Sequence, residues 1–211
     1  SDNPLIVHIA DLEDLSEITE NVPPETELLA KHFWPGPLTM IFEKSSLVPY
    51  GTTGGLDTVA VRMPSDLIAR KLILAAGGYV SAPSANTSGR PSPTTAEHVW
   101  EDLNGKIEMI IDGGSVDIGL ESTILDMTVS PPMILRPGAI TADMLEEVIG
   151  VVSVDETILG SESSQAPKAP GMKYRHYAPK AKLTIVEGSL KEEVFAIRQL
   201  AYEKSRQGVQ V

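Results

Sequence analysis

The stretch VSAPSANTSGRPSPTT, residues 80–95, decides how the rest of the chain is read. Its four Ser, three Thr and three Pro give it the composition of a flexible linker. Its flanks argue otherwise. Upstream, a helix-like apolar pattern over residues 66–76 ends at Gly77-Gly78 and passes into a strand-like run, 79–82. Downstream, Thr94 or Thr95 stands where an N-cap precedes a helix reaching about residue 103, with Glu97 close to the capping-box position. A polar loop that leaves a strand and enters a helix lies at the carboxyl end of that strand, where open α/β sheets hold their ligands. Ser84, Asn86, Thr87, Ser88 and Ser92 offer neutral hydrogen-bonding groups, and Gly89 permits close backbone approach. Pro83, Pro91 and Pro93 restrict the loop and lower the entropy cost of holding those groups in place. Such a loop suits phosphate or sugar hydroxyls.

On its N-terminal side, residues 5–10 (LIVHIA) form a buried strand pattern, 11–19 a short acidic helix, and 25–33 a helix stopped by Pro35-Gly36-Pro37. Residues 38–42 and 58–63 are strand-like, separated by a Gly-rich turn at 51–55, and Ser65 is the expected N-cap of helix 66–76. On the C-terminal side, strands are expected at 107–111, 122–126 and 133–135, then a helix at 141–149. Strands and helices interleave, yet several strands follow one another directly. That pattern predicts an α/β fold of the mixed α+β kind: a twisted, open sheet, mixed and largely antiparallel, with flanking helices. Residues 155–179, rich in Ser, Pro, Lys and Gly, have the composition of an interdomain connection. A strand-like run at 182–187, a helix at 190–205 and a further strand from Gly208 then open a second domain, too short to bury its own face. The expected organisation is a domain at 1–154, a linker at 155–180 and the start of a second domain at 181–211.

Of the 211 residues 42% are hydrophobic and 22% charged, enough for one substantial core. No apolar run approaches the roughly 18 to 20 residues of a membrane helix. The absence of Cys excludes disulfides, thiolate zinc sites and cysteine nucleophiles, and fits a reducing, cytoplasmic location. A net charge of −12 argues against a generally basic nucleic-acid-binding surface. Residues 163–186 break that trend with five Lys or Arg and no acid, which on charge alone describes a solvated basic linker.

No GxxxxGK[ST], GxSxG or HExxH motif occurs, nor a GxGxxG after a strand. The four His are far apart in sequence, so a His-built metal site is not expected, and a divalent ion would arrive on a phosphate ligand. What remains is a set of polar residues at strand ends. His8 lies within an apolar strand, as a satisfied structural residue or a ligand-facing one. Arg62 closes TVAVR before Met-Pro and needs an anion, either a partner carboxylate or a ligand. Arg136 in ILRPGA repeats the strand-end, Arg, Pro arrangement, and the two together suggest a common anionic site. Ser122 and Thr123 open a strand, where a hydroxyl can cap or contact a ligand.

The segments SDNPLIVHI, KHFWPGPLT, TVAVRMP, SAPSANTSGRPSPT, ESTILD and ILRPGA occur in the order seen in the YrdC-like family. APGMKYRHYAP, residues 169–179, resembles the linker of its longer, two-domain members, the L-threonylcarbamoyladenylate synthases. The resemblance covers essentially the whole chain. It implies a twisted mixed sheet forming a concave basin, a Rossmann-like second domain, and a linker folding over the basin. It further implies an enzyme that joins L-threonine, bicarbonate and ATP into threonylcarbamoyl-AMP with release of pyrophosphate. The product would pass to a tRNA-modifying threonylcarbamoyl transferase complex, with weak tRNA contact and no membrane association. By position, the resemblance directs His8, Arg62 and Ser122 toward threonine, with Arg62 on its carboxylate. It directs Asn3, Thr58, Ala82, Ser84, Ser92 and Arg136 toward ATP, and His176 to the closing linker. No covalent nucleophile is implied, and Mg2+ would come with the ATP phosphates. Family members carry, before the first segment found here, a strand and helix with a threonine-contacting Thr and a Lys-x-Arg-Pro element, so the chain is expected to start just after it. Two rival classes are a non-catalytic module for double-stranded RNA and a carbamoyl-transfer domain like that of hydrogenase-maturation proteins. The net charge weighs against the first, and the absence of Cys against the second.

Overall fold

The computed structural model describes residues 3–87, 89–159 and 183–210. They belong to two compact units, Ser1–Ala178 and Pro179–Val211. The first runs β1 (Ile6–Ile9), α1 (Leu15–Ile18), β2 (Thr19–Glu20), α2 (Glu25–Phe33), β3 (Leu38–Lys44), α3 (Tyr50–Thr53) and β4 (Thr58–Arg62). It continues with α4 (Leu67–Ala75), β5 (Tyr79–Ala82), α5 (Ala96–Leu103), β6 (Thr123–Asp126), β7 (Met133–Arg136), α6 (Ala142–Ile149) and β8 (Ser153–Val154). The second unit holds α7 (Leu190–Arg206), whose N-terminus is closed by Ser189, its amide and hydroxyl both donating to Glu192 Oε2 at 3.1 and 2.6 Å.

The strands form one open sheet in the order β5-β1-β4-β3-β6-β7-β8, with β2 also on β3. Pairs β1–β4, β3–β6 and β7–β8 are parallel, and the other four are antiparallel. This is the mixed α/β sheet that strands without intervening helices required.

Alternation along the strands sends successive side chains to opposite faces. One face carries the main core. Val7 and Ile9, Val59 and Val61, Leu38, Met40 and Phe42, Leu125 and Ile134 pack there with Leu15 and Ile18 of α1, Leu29 of α2 and Leu145 of α6. The other face has only a small buried cluster, Ile41, Ala60, Ile124 and Leu135, with Ile6 and Met133 beside it. Beyond that cluster, at the carboxyl ends of β1 and β4, this second face turns polar. Helices α1, α2 and α6 spend their apolar sides on the first face.

Several expectations need correction. Residues 11–19 make only a 3-10 turn at Leu12–Asp14 and the four-residue α1, because Thr19 and Glu20 are drawn into the sheet opposite Lys44 and Glu43. The turn at 51–55 is largely the helix α3, ended by Gly54 in the left-handed conformation at φ 64°. The cap of α4 is Asp66, not Ser65: its carboxylate accepts from the Ala69 amide at 2.7 Å. Residues 107–111 form no strand and Met109 is 75% exposed, for the run pairs with no strand of the sheet. Residues 183–187 and 209–210 likewise form none, since the described part of the second unit offers no strand to pair with. The predicted linker, 155–180, falls mostly outside the described residues, and His176 lies wholly outside them.

Candidate functional site

A single transverse row of residues sets the site. Register places His8 beside Val80 of β5 on one side and Arg62 on the other, Arg62 beside Thr39, and Ile124 beside Arg136. Thr39 also pairs with Ile124, so the row is continuous from β5 to β7. Laterally paired residues point to the same face. Two arginines, a histidine and a buried threonine are thereby gathered on the face opposite the main core.

The turn Pro35-Gly36-Pro37 anchors this row. The Gly36 amide donates to Met63 O at 2.9 Å, Arg62 Nε donates to Gly36 O at 3.0 Å, and the Thr123 amide donates to Pro37 O at 3.0 Å. The turn thus ties the end of β4 to the start of β6. Only glycine fits at its centre, since a Cβ on Gly36 would collide with the Phe33 carbonyl oxygen. The loop after β7 is equally tight: a Cβ on Gly138 would stand 2.6 Å from Glu121 O and 2.5 Å from the Thr123 amide. That approach lets Thr123 Oγ1 bond both the carbonyl and the amide of Ile140, at 2.7 and 3.1 Å. Thr123 is therefore structural, which resolves one of the two hydroxyls at this strand start.

Ser122, its neighbour, is 4% exposed and faces the row. Its hydroxyl lies 2.7 Å from Thr39 Oγ1 and accepts from Arg136 Nη2 at 3.0 Å, while Arg136 Nε donates to Ser122 O, also at 3.0 Å. Arg62 has no carboxylate partner among the described residues. Burial, then the neighbouring Arg136 charge, draws its pKa below the usual arginine value. Two guanidinium groups on one face, close enough to oppose each other, make a place where an anion is stabilising. Burial, then Arg62, lowers the pKa of His8 to about 4, against the raising effect of hydrogen bonds to the Val80 and Ile6 backbone. At neutral pH the imidazole is uncharged, so it retains an acceptor nitrogen beside the cations.

The other predicted residues lie elsewhere on or near this face. Thr58 is on the same side of β4 as Arg62, four residues back, about 13 Å along the strand. Ala82 pairs with Ile6 and so sits toward that same far end, where half-buried Asn3 also precedes β1. Arg136 lies next to Ser122 and Arg62, the arrangement that two strand-end arginines at one anionic site require. Ser84 is exposed, whereas Ser92 Oγ is buried with no hydrogen-bond partner among the described residues, as is Asn86 Oδ1. Buried polar atoms are nearly always bonded, so an orphan pair in one loop marks a place for ligand groups.

Three features escaped sequence reasoning. Gly36 and Thr39 belong to KHFWPGPLT, in which only the Pro-Gly-Pro helix stop was legible. Asp102 of α5 is buried, accepts from the Thr87 amide at 3.0 Å and pairs with Arg90, fastening the 80–95 loop to the helix that follows it. Among the described residues no group of three or more His, Asp or Glu could hold a metal ion. No described helix is long and apolar enough to cross a membrane.

Residues 1–138 match the Sua5/YciO/YrdC family, described as "Telomere recombination", and residues 140–211 match "Threonylcarbamoyl-AMP synthase, C-terminal domain". A Pyrococcus abyssi protein named threonylcarbamoyl-AMP synthase is 51% identical over 211 residues, covering 100% of this chain and 62% of that protein. A Bacillus subtilis protein of the same name is 48% identical over 210 residues, 99% of this chain and 60% of that one. The crystal structure of P. abyssi Sua5 complexed with L-threonine matches with a TM-score of 0.91 and 52% identity, over 98% of this chain and 61% of that one. The chain spans less than two thirds of the length of these relatives.

Proposed function

The chain belongs to the Sua5/YciO/YrdC family, and from that premise we propose that it acts as a threonylcarbamoyl-AMP synthase on L-threonine, bicarbonate and ATP. The observation that carries this reading is the polar row: Arg62 without a carboxylate partner among the described residues, neutral His8 beside it, and Arg136 with Ser122 across the sheet. The P. abyssi relative with L-threonine bound supports the amino acid as one substrate.

In this reading Arg62 holds the threonine carboxylate, with His8 and Ser122 as the other contacts to the amino acid. The threonine amine and bicarbonate condense to a carbamate with loss of water. A carbamate oxygen then attacks the α-phosphorus of ATP, and the bond to the pyrophosphate group breaks. No protein nucleophile takes part, so the work of the site is to place two anions together and to stabilise charge developing at phosphorus. Arg136 is at the seam. It adjoins Arg62 in the structure and is directed to ATP by the resemblance, a position that suits the α-phosphate. Thr58, Ala82 and Asn3 lie along the same face toward its other end, and the 84–92 loop supplies uncharged contacts. Mg2+ enters as the counter-ion of the ATP phosphates. The reading places the protein in the cytoplasm and its product with an enzyme that modifies a tRNA adenosine.

The test is pyrophosphate release from ATP, expected to require both L-threonine and bicarbonate. Release indifferent to threonine removes the assignment. Within the same assay Arg62→Ala should raise the threonine requirement at least tenfold while changing that for ATP little. Equal effects on both would take Arg62 away from the carboxylate.

A further inference from the structure

Thr39, Ser122 and Arg136 form a short hydrogen-bonded string at the edge of the site, with spacings of 2.7 and 3.0 Å. Proton counting gives the string a direction. A guanidinium can only donate, so Arg136 occupies one lone pair of the Ser122 oxygen. Either hydroxyl proton can lie in the Thr39–Ser122 contact. Thr39 is 0% exposed, and Ser122 is the one partner its hydroxyl has among the described residues. If Ser122 donated to Thr39, the threonine proton would be buried without an acceptor, at a cost of about 1–3 kcal/mol. If Thr39 donates, its buried proton is satisfied. Ser122 then accepts from two sides, and its own proton is left to point at whatever the site holds.

Position favours the second arrangement. Thr39 is the lateral neighbour of Arg62, and Ser122 bonds Arg136, so the free Ser122 proton emerges between two cations where an anionic oxygen is expected. We propose that Thr39 is a positioning residue: its buried hydroxyl donates to Ser122 and thereby fixes Ser122 Oγ–H as a donor to a carboxylate or carbamate oxygen of the substrate. Thr39 touches no ligand itself. This deepens the reading of the site as one for L-threonine and rests on it.

The experiment is calorimetric titration of the whole chain with L-threonine, comparing the parent with Thr39→Val, Thr39→Ser, Ser122→Ala and the Thr39→Val/Ser122→Ala pair. Valine keeps the shape and removes the hydroxyl. It should weaken binding about fivefold to tenfold, the effect of one neutral hydrogen bond, and serine should restore affinity to within about twofold. The double variant should bind no worse than Ser122→Ala, since both changes cut the same string. Parent-like binding by Thr39→Val, failure of serine to rescue, or multiplying effects in the double variant overturns the proposal. Should Thr39→Val not fold, Thr39→Cys replaces it, and a weaker thiol donor must give an affinity between those of the parent and Ser122→Ala. Absence of threonine binding by the folded parent removes the functional reading instead. The same variants are then titrated with inorganic pyrophosphate as the anion, under the same criteria. A parent that binds neither probe overturns both claims.

Discussion

His8 shows how a residue's surroundings set its chemistry. Burial first, and Arg62 second, lower its pKa from 6.5 to about 4. The unfolded chain gains a proton at His8 as pH falls below 6.5, whereas the folded chain gains it only near 4. Stability supplied by the neutral imidazole is therefore fully present above 6.5 and lost as pH falls through that window. The loss by pH 4 is about 3 kcal/mol from the 2.5-unit difference. Denaturant unfolding from pH 7 to pH 4 should show the stability advantage of the parent over His8→Gln shrinking by roughly that amount. A constant difference across the range would mean that His8 titrates normally and is not buried beside a cation. His8 and Arg62 could be picked from sequence because polar residues interrupt apolar strand patterns there. Thr39 could not, since a threonine is ordinary in a strand and nothing in the local pattern says that its hydroxyl is buried against Ser122, 83 positions away.

Among the elements, the loop at 80–95 and helix α5 work as one piece. Asp102 binds the Thr87 amide and Arg90, Lys106 Nζ donates to Asp102 O at 2.9 Å, and Asn86 Nδ2 donates to the carbonyls of Thr87 and Arg90 at 3.0 and 2.9 Å. The Thr87 hydrogen bond, more than the Arg90 charge, holds the Asp102 carboxyl below the usual carboxylate range, with burial opposing both. A loop fastened this way holds its hydroxyls in place before any ligand arrives, which cuts the ordering cost of binding. Asp102→Ala should make the Thr87 amide exchange with solvent about tenfold faster and weaken binding of a non-hydrolysable ATP analogue by a similar factor, with L-threonine binding little changed. Unchanged exchange would show that the loop is held by its prolines alone. The sequence revealed the strand, the loop and the helix in order, because Gly77-Gly78 and Thr95 are local signals. It hid the staple, because an acid on an amphipathic helix has the pattern of a solvent-facing residue. The strand expected at 107–111 failed for a related reason: apolar residues in a row suggest a strand, but only pairing with a neighbouring strand makes one.

For the whole molecule, the sheet order follows from facts no single segment contains. Parallel pairing of β1 with β4 and of β3 with β6 brings residues 54 and 85 positions apart side by side, and local propensity carries no record of that. The row His8, Arg62, Thr39, Arg136 exists only because of this topology. Net charge acts at the same scale and separates an enzyme from an RNA-binding module. With 29 acidic and 17 basic residues the chain is at −12, so a polyanion meets repulsion everywhere except at local cation clusters. The described site offers two such cations, Arg62 and Arg136. Two phosphate contacts give a slope of log affinity against log salt of about −1.8, roughly a tenfold loss between 50 and 200 mM salt. Transfer RNA or a short RNA duplex, titrated at physiological salt, should therefore bind this chain more weakly than about 10⁻⁴ M. L-Threonine, a small zwitterion with one carboxylate for the proposed contact at Arg62, should be largely insensitive to the same salt change. Micromolar RNA binding with a slope of −5 or steeper would require many more phosphate contacts than these two arginines provide. The binding-module reading would then displace the synthase.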